Sequence, residues 1–469
     1  MPTANDTTVK GHVLHHWDPE NPEFWERTGA RIARRNLWIS IISLTLSFAI
    51  WVLWSVVTVN LDKVGFRFTS NQLFWLTALP ALSGATFRVF YSFMVPIFGG
   101  RRWTVISTLS LLIPALGMGF ALRDPSTSYG TLLVLALLCG FGGGNFSSSM
   151  ANISFFFPKL KKGTATGLNA GIGNLGVSLA QFVVPLVISG AMLGGITGDG
   201  ISFTKDGVQH EVWLQNAGFV WVPFILLSAL LAWFGMNDIA DAKASFRDQA
   251  IIFKRKHNWL MCWLYVGTFG SFIGFSAGLA LLTQSQFPDV NPTQYAFLGP
   301  LVGALTRPVG GWISDRVGGG AGVTLYTFIL MVLAVLGVIW TLPSGDSAGN
   351  FPAFLGLFIL LFALTGIGNG STFRMIPVIF LTARSLEAEK TEEAQRAAHV
   401  QGNKEASAVL GFSGAVGAYG GFFIPKSFGT SLDLTGSVDA ALYSFIVFYL
   451  SCVVVTWWFY ARKGAVTPC

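Results

Sequence analysis

Residues 84–93 read GATFRVFYSF, and residues 303–312 read GALTRPVGGW. Each stretch sets an arginine, Arg88 or Arg307, inside a run otherwise apolar enough to cross a bilayer. Insertion scales charge ~2.5–3.5 kcal/mol for a guanidinium at that depth. The two stretches superimpose at a shift of 219 residues, which puts Gly84 on Gly303, Ala85 on Ala304, Arg88 on Arg307, Gly99 on Gly318 and Gly100 on Gly319. A costly charge repeated at one depth of two spans points to an internal duplication, with both charges kept out of lipid.

The rest of the chain supplies the array that such a duplication needs. It is 469 residues long, 52% hydrophobic, 14% aromatic and 11% charged, with a mean hydropathy of +0.57. Soluble domains carry about 25% charged residues, so this is an integral membrane protein. Twelve apolar stretches are long enough to cross a core of ~30 Å: 36–59, 72–98, 103–122, 130–156, 164–190, 214–236, 257–283, 294–315, 322–342, 352–382, 404–428 and 440–461.

Lys and Arg collect in cytoplasmic loops. Of the 30 in this chain, 22 fall on the side of the termini, only Lys63, Arg67, Arg123, Lys205 and Lys426 fall opposite, and Arg88, Arg307 and Arg374 lie inside spans. Both termini are therefore expected in the cytoplasm, and the net charge of +7 reflects topology, not nucleic-acid binding. The polar start, HHWDPENPEFWERTGARIARRN, reads as a cytoplasmic tail and not as a cleaved signal. Cys139, Cys262 and Cys452 sit within spans and Cys469 ends the chain, so no disulfide framework is indicated.

The longest polar interval inside the array, residues 236–258, divides it six and six. The expected organisation is a tail (1–35), a six-helix half (36–236), a cytoplasmic linker (237–256), a second half (257–461) and a C-terminal tail (462–469). Parallel six-helix repeats build the major facilitator fold, with the substrate near the midplane. The expected fold is thus all-α, twelve transmembrane helices in two six-helix halves, with Arg88 and Arg307 facing one cavity. GGWISDRVGGG after the eighth span and FGGRRW after the second resemble that fold's loop motif, although the first copy has Pro96 where the second has Asp315.

On these spans all 23 Asp and Glu residues fall in loops, tails or helix ends, so two mid-membrane arginines lack a carboxylate partner. The missing negative charge comes from outside: the site is built for an anion. Arginine's planar fork suits bidentate contact with flat oxyanions. Neighbouring spans offer aromatic rings at Phe48, Phe146, Tyr265 and Phe269 and polar groups at Asn145, Asn174 and Ser413. The competing reading of the two arginines is capping of backbone carbonyls at helix ends. Arg374 lies near the end of its span and is expected to snorkel. A GxGxxG spacing at 171–176 fails as a nucleotide loop, because no strand precedes it. No mid-membrane His, Asp or Glu offers a proton relay, and no metal cluster or nucleophile–base pair supports an enzyme.

The stretches GATFRVFYSFMVPIFGGRRW, FFFPKLKKGTATGLNAGIGNLGVS, GTFGSFIGFSAG and GFSGAVGAYGGFFIP resemble the bacterial NarK-type nitrate/nitrite porters of the major facilitator superfamily. The likeness runs from the WDPENPEFW tail to the last span. It implies nitrate and nitrite as substrates, Arg88 and Arg307 as paired anion ligands, Asn174 and Tyr265 as hydrogen-bond partners, and Phe146 and Phe269 as aromatic walls, with Phe48 and Ser413 beside them.

The expected function is antiport of external nitrate against internal nitrite, in a cell that reduces nitrate inside. A proton-coupled nitrate symporter is the alternative, and an anion channel or nitrate sensor ranks below both. No cofactor, metal, nucleic acid or enzymatic activity is expected. The protein is expected as a monomer in a bacterial inner membrane.

Overall fold

The computed structural model describes residues 9–10, 12–191, 194–205, 208–240, 250–345 and 347–469. Among them eleven helices are long and apolar enough to cross a membrane: α1 (Pro22–Asn60), α2 (Ser70–Tyr91), α3 (Gly100–Ala121), α4 (Tyr129–Phe156), α5 (Lys159–Ile188), α6 (Asn216–Gly235), α7 (Lys256–Gln286), α9 (Gly320–Thr341), α10 (Phe351–Glu387), α11 (Glu392–Thr435) and α12 (Asp439–Ala461). The remaining expected span is α8 (Leu298–Arg316), a 19-residue helix made less apolar by Arg307, Asp315 and Arg316. Every expected span is therefore helical. In hydrocarbon the backbone must satisfy its own hydrogen bonds, which an apolar run can do only as a helix or in a closed barrel.

Polar side chains start several of these helices. Ser128, Asn350 and Thr391 accept the backbone N–H of Thr131, Ala353 and Ala394 at the heads of α4, α10 and α11. Thr391 begins α11 well before the apolar run at 404, so the helix extends through a polar first segment.

The chain forms two compact units, one of Met1–Arg67 with Ser83–Ala244 and the other of Phe68–Leu82 with Ser245–Cys469. The first part of α2 thus groups with the second unit. There Asn71 Oδ1 accepts from Lys426 Nζ at 2.7 Å, while Phe74 meets Phe428 and Trp75 meets Phe422.

In the first unit α5 lies close against α1. A Cβ at Gly173 would stand 2.7 Å from Leu44, and Gly176 abuts the carbonyl of Thr45, so the contact needs bare backbone. The N-terminal segment is folded onto this unit. Strands β1 (Val9–Lys10) and β2 (Val13–Leu14) pair antiparallel, and β2 pairs parallel with Asp238–Ile239 after α6. Trp17 packs edge-on against Phe156, and Trp25 lies tilted against Phe157. Asp238, 9% exposed at its side chain, accepts the backbone N–H of Arg101 at 2.8 Å and pairs with its guanidinium at 3.4 Å. The acid missing from the FGGRRW loop is thus supplied from beyond α6.

In the second unit Glu405 is a buried carboxylate within α11, which corrects the expectation that all acids lie in loops, tails or helix ends. It receives Arg255 bidentately at 2.8 and 3.2 Å and Arg384 at 3.4 Å. Arg374, expected to snorkel, instead pairs with Asp315 of α8 at 2.6 Å, the two side chains 41% and 63% exposed. Residues 241–249 of the linker, with Lys243 and Arg247, lie outside the described residues, as do Met1–Thr8 and Gly11.

Candidate anion site

Arg88 is fully buried in α2 of the first unit. Its Nε donates to the carbonyl of Gly143 at 3.0 Å. Its guanidinium carbon lies 4.5 Å from the ring centre of Phe146 and 5.1 Å from that of Trp51. Cation–π attraction of this kind is worth ~2 kcal/mol or more when desolvated. The surroundings are built to hold these rings. Trp51 occupies a slot between Gly84 and Gly143, where an added Cβ would come within 2.5 Å of Nε1 or 2.6 Å of Cε2. Phe48, one turn before Trp51 on α1, contacts both Trp51 and Phe146, at 5.4 and 6.1 Å.

Asn145 Nδ2 donates to Ser47 Oγ at 2.8 Å and ties α4 to α1 beside these rings. Asn174 lies on α5 between Gly173 and Gly176, the glycines that press on α1; a Cβ at Gly176 would stand 3.0 Å from Phe48 Cβ. Its amide is 1% exposed, and its Oδ1 has no hydrogen-bond partner among the described residues. Phe48, Phe146 and Arg88 are thus in one cluster, with Asn174 on the adjoining helix.

Arg307, on α8 of the second unit, is 8% exposed. Its Nη2 donates to the phenolic oxygen of Tyr265 at 3.4 Å, and its guanidinium carbon lies 5.4 Å from the ring of Phe373. Its Nη1 is buried without a partner, and it joins no ion pair among the described residues. Burying a charge without a counter-charge is expensive.

Tyr265 precedes a π-helical turn, Val266–Gly270, inside α7. Such turns recur at functional sites because they re-aim side chains within a helix. Here the Tyr265 and Phe269 rings stack at 5.6 Å with planes 29° apart, and Phe272 continues the stack. Gly417 of α11 gives Tyr265 room, since a Cβ there would stand 2.7 Å from Cδ1. Ser413, one turn earlier on α11, is fully buried, and its Oγ donates to the carbonyl of Leu410 at a long 3.4 Å. Arg307, Tyr265 and Phe269 are therefore brought together, with Ser413 beside them.

Trp51, Phe373 and the Gly143 carbonyl were not picked out by sequence reasoning. Trp51 had a usable signal in its spacing of three residues from Phe48, which puts both on one helix face.

Residues 37–425 match the Major Facilitator Superfamily. The chain belongs to the major facilitator superfamily. Within that superfamily it falls in the NarK-type branch. It is 52% identical over 452 residues to "Nitrate/nitrite transporter NarU" of Escherichia coli (strain K12), covering 96% of this chain and 97% of that protein. It is 44% identical over 469 residues to "Probable nitrate/nitrite antiporter NarK2" of Thermus thermophilus, covering 98% and 99%. Among solved structures, a bacterial homologue of the human lysosomal transporter Spinster aligns with a TM-score of 0.58 at 14% identity, covering 90% of this chain and 95% of that one. That likeness concerns the major facilitator fold alone.

Proposed function

We propose that this protein is a nitrate/nitrite antiporter that exchanges external nitrate for internal nitrite by alternating access. Arg88 and Arg307 are its anion ligands, one from each six-helix half. The observation that carries the reading is Arg307, a buried guanidinium held by Tyr265 and Phe373 that joins no ion pair among the described residues. Relatives named for nitrate and nitrite, matched over nearly their whole length, support the substrate.

The site's chemistry suits a small planar monovalent oxyanion. Two guanidinium forks offer parallel N–H donors. Phe146 and Phe269 offer flat walls that shed water, Asn174 and Tyr265 further donors, and Phe48 and Ser413 complete the lining. Moving one negative charge into a negative cell costs ~2.3 kcal/mol per 100 mV. One-for-one exchange removes that term. A bound anion offsets the positive charge that the arginines bring to the site, which favours closing and rocking over the empty state. The glycine-rich faces of α5 and α11 accommodate the movement.

The same reading places a monomer in the bacterial inner membrane with both termini in the cytoplasm. The tail, two halves and linker divide at 35, 236, 256 and 461.

The test is nitrate uptake into proteoliposomes at fixed pH, with and without internal nitrite, repeated under an imposed proton gradient. Uptake that requires internal nitrite and ignores the gradient supports antiport. Gradient-driven uptake into nitrite-free vesicles means proton symport instead.

A further inference from the structure

Helix α10 carries GIGNGSTF at 366–373, and α4 carries GGGNFSSS at 142–149. Aligned on Gly142 and Gly366, these put Asn145 on Asn369. The two asparagines differ in what they do. Asn145 Nδ2 is committed to Ser47 Oγ and to the carbonyl of Ser107 at 2.8 and 3.2 Å. The Asn369 side chain is only 2% exposed and makes no hydrogen bond among the described residues, with Oδ1 wholly buried. Leaving a buried amide without a hydrogen-bond partner is costly.

Its surroundings show where that something would sit. Gly368 faces Thr268, whose Cγ2 would stand 2.7 Å from an added Cβ, and Gly370 abuts the backbone carbonyl of Arg307. Thr372 meets Thr268 at 3.3 Å, and Phe373 covers the Arg307 guanidinium at 5.4 Å. At ~100° per residue around the helix axis, Asn369 points between the direction of Thr372 and that of Phe373. Its amide therefore faces the space between Thr268, next in sequence to Phe269, and the Arg307 fork. Arg307 Nη1 is likewise buried with no partner among the described residues. Asp315, the acid of α8, is engaged by Arg374, the residue that follows Phe373 on α10.

We propose that Asn369 is a further anion ligand, its amide N–H completing the donor set that Arg307 and Tyr265 begin. The assignment rests on the anion-site reading above. Rotation about the Cβ–Cγ bond presents either amide atom, so Nδ2 can be turned to the oxyanion without moving α10. A neutral donor suits this position because it adds a directional contact to a planar oxyanion and adds no third positive charge.

The test uses the full-length transporter. Nitrate and nitrite affinities are measured by titration calorimetry for Asn369→Ala and Asn369→Asp, with melting temperature as the fold check and Arg307→Lys and Arg307→Ala in parallel. Asn369→Ala is expected to weaken nitrate binding about tenfold or more and to change the nitrate-to-nitrite ratio, which a packing defect would not do. Asn369→Asp is expected to bind nitrate at pH 5.5 and at least tenfold more weakly at pH 8, with a proton taken up per anion bound, because an ionised carboxylate there would pair with Arg307. Wild-type affinity in both Asn369 variants, at both pH values, overturns the assignment of Asn369 if Arg307→Ala has lost nitrate. Retained nitrate binding in Arg307→Lys refutes the fork at Arg307, and retained binding in Arg307→Ala overturns the anion-site reading itself.

Discussion

Tyr265 receives on its phenolic oxygen the Nη2–H of Arg307 at 3.4 Å, while its ring stacks on Phe269. The hydroxyl aims the fork and the ring walls the space beside it. Removing the hydroxyl separates these roles. Tyr265→Phe is expected to keep the fold and the stack but to weaken nitrate binding about tenfold, the scale of a hydrogen bond to a charged group. Titration calorimetry on the purified protein measures it; an unchanged affinity would remove Tyr265 from the donor set.

Glycines beside the aromatic rings should be intolerant of even one carbon. Gly84→Ala would press on Trp51 Nε1 at 2.5 Å and on Gly143 Cα at 3.1 Å, and Gly417→Ala on Tyr265 Cδ1 at 2.7 Å. Each is expected to destabilise by about 1–3 kcal/mol through overpacking and to slow exchange. A Cβ added at Gly171 of α5 would meet nothing within 4 Å among the described residues. Gly171→Ala should therefore leave the melting temperature level or higher, while its nitrate counterflow falls if α5 needs a bare face to move. Thermal melts and counterflow on the three variants separate packing from motion.

The buried and exposed ion pairs make a matched comparison. Glu405 is 1% exposed and clamped by Arg255 and Arg384, whereas Asp315 and Arg374 are 63% and 41% exposed at their side chains. Glu405→Gln leaves two arginines short of their counter-charge and is expected to destabilise by about 3 kcal/mol. Asp315→Asn should lower stability by less than about 1 kcal/mol. Denaturation of both variants in the same detergent checks the order, and equal losses would contradict the burial argument.

The spans were readable because a backbone in hydrocarbon has few alternatives, and Arg88 and Arg307 stood out because a charge there is costly. The packing partners were not readable. Trp51 reaches Arg88 only because Gly84 and Gly143 open a slot between α2 and α4, a relation among residues far apart in sequence. Glu405 was placed at a helix end because the apolar run begins beside it, but Thr391 caps a polar first segment and puts Glu405 mid-helix. The N-terminal stretch reads as a polar cytoplasmic tail; its tryptophans pack on Phe156 and Phe157, which a polar composition does not reveal. Arg374 was expected to snorkel, and its partner Asp315 comes from α8, 59 residues earlier.

The arginines offer the sharpest separation of charge from geometry. Arg88 donates through Nε to Gly143 and lies over Phe146 and Trp51, and a lysine ammonium can reproduce neither the planar stack nor the fork. Arg88→Lys and Arg307→Lys each keep the formal charge, so simple electrostatic attraction predicts near-normal binding. Bidentate recognition instead predicts that nitrate binding falls below detection in both, a loss of at least a hundredfold. Exchange in the parent protein should meanwhile stay level between pH 6 and 8, since a guanidinium does not titrate there. Nitrate titrations of both variants, set beside counterflow across that pH range, decide between charge and fork: unchanged nitrate affinity in either lysine variant would refute bidentate binding at that arginine.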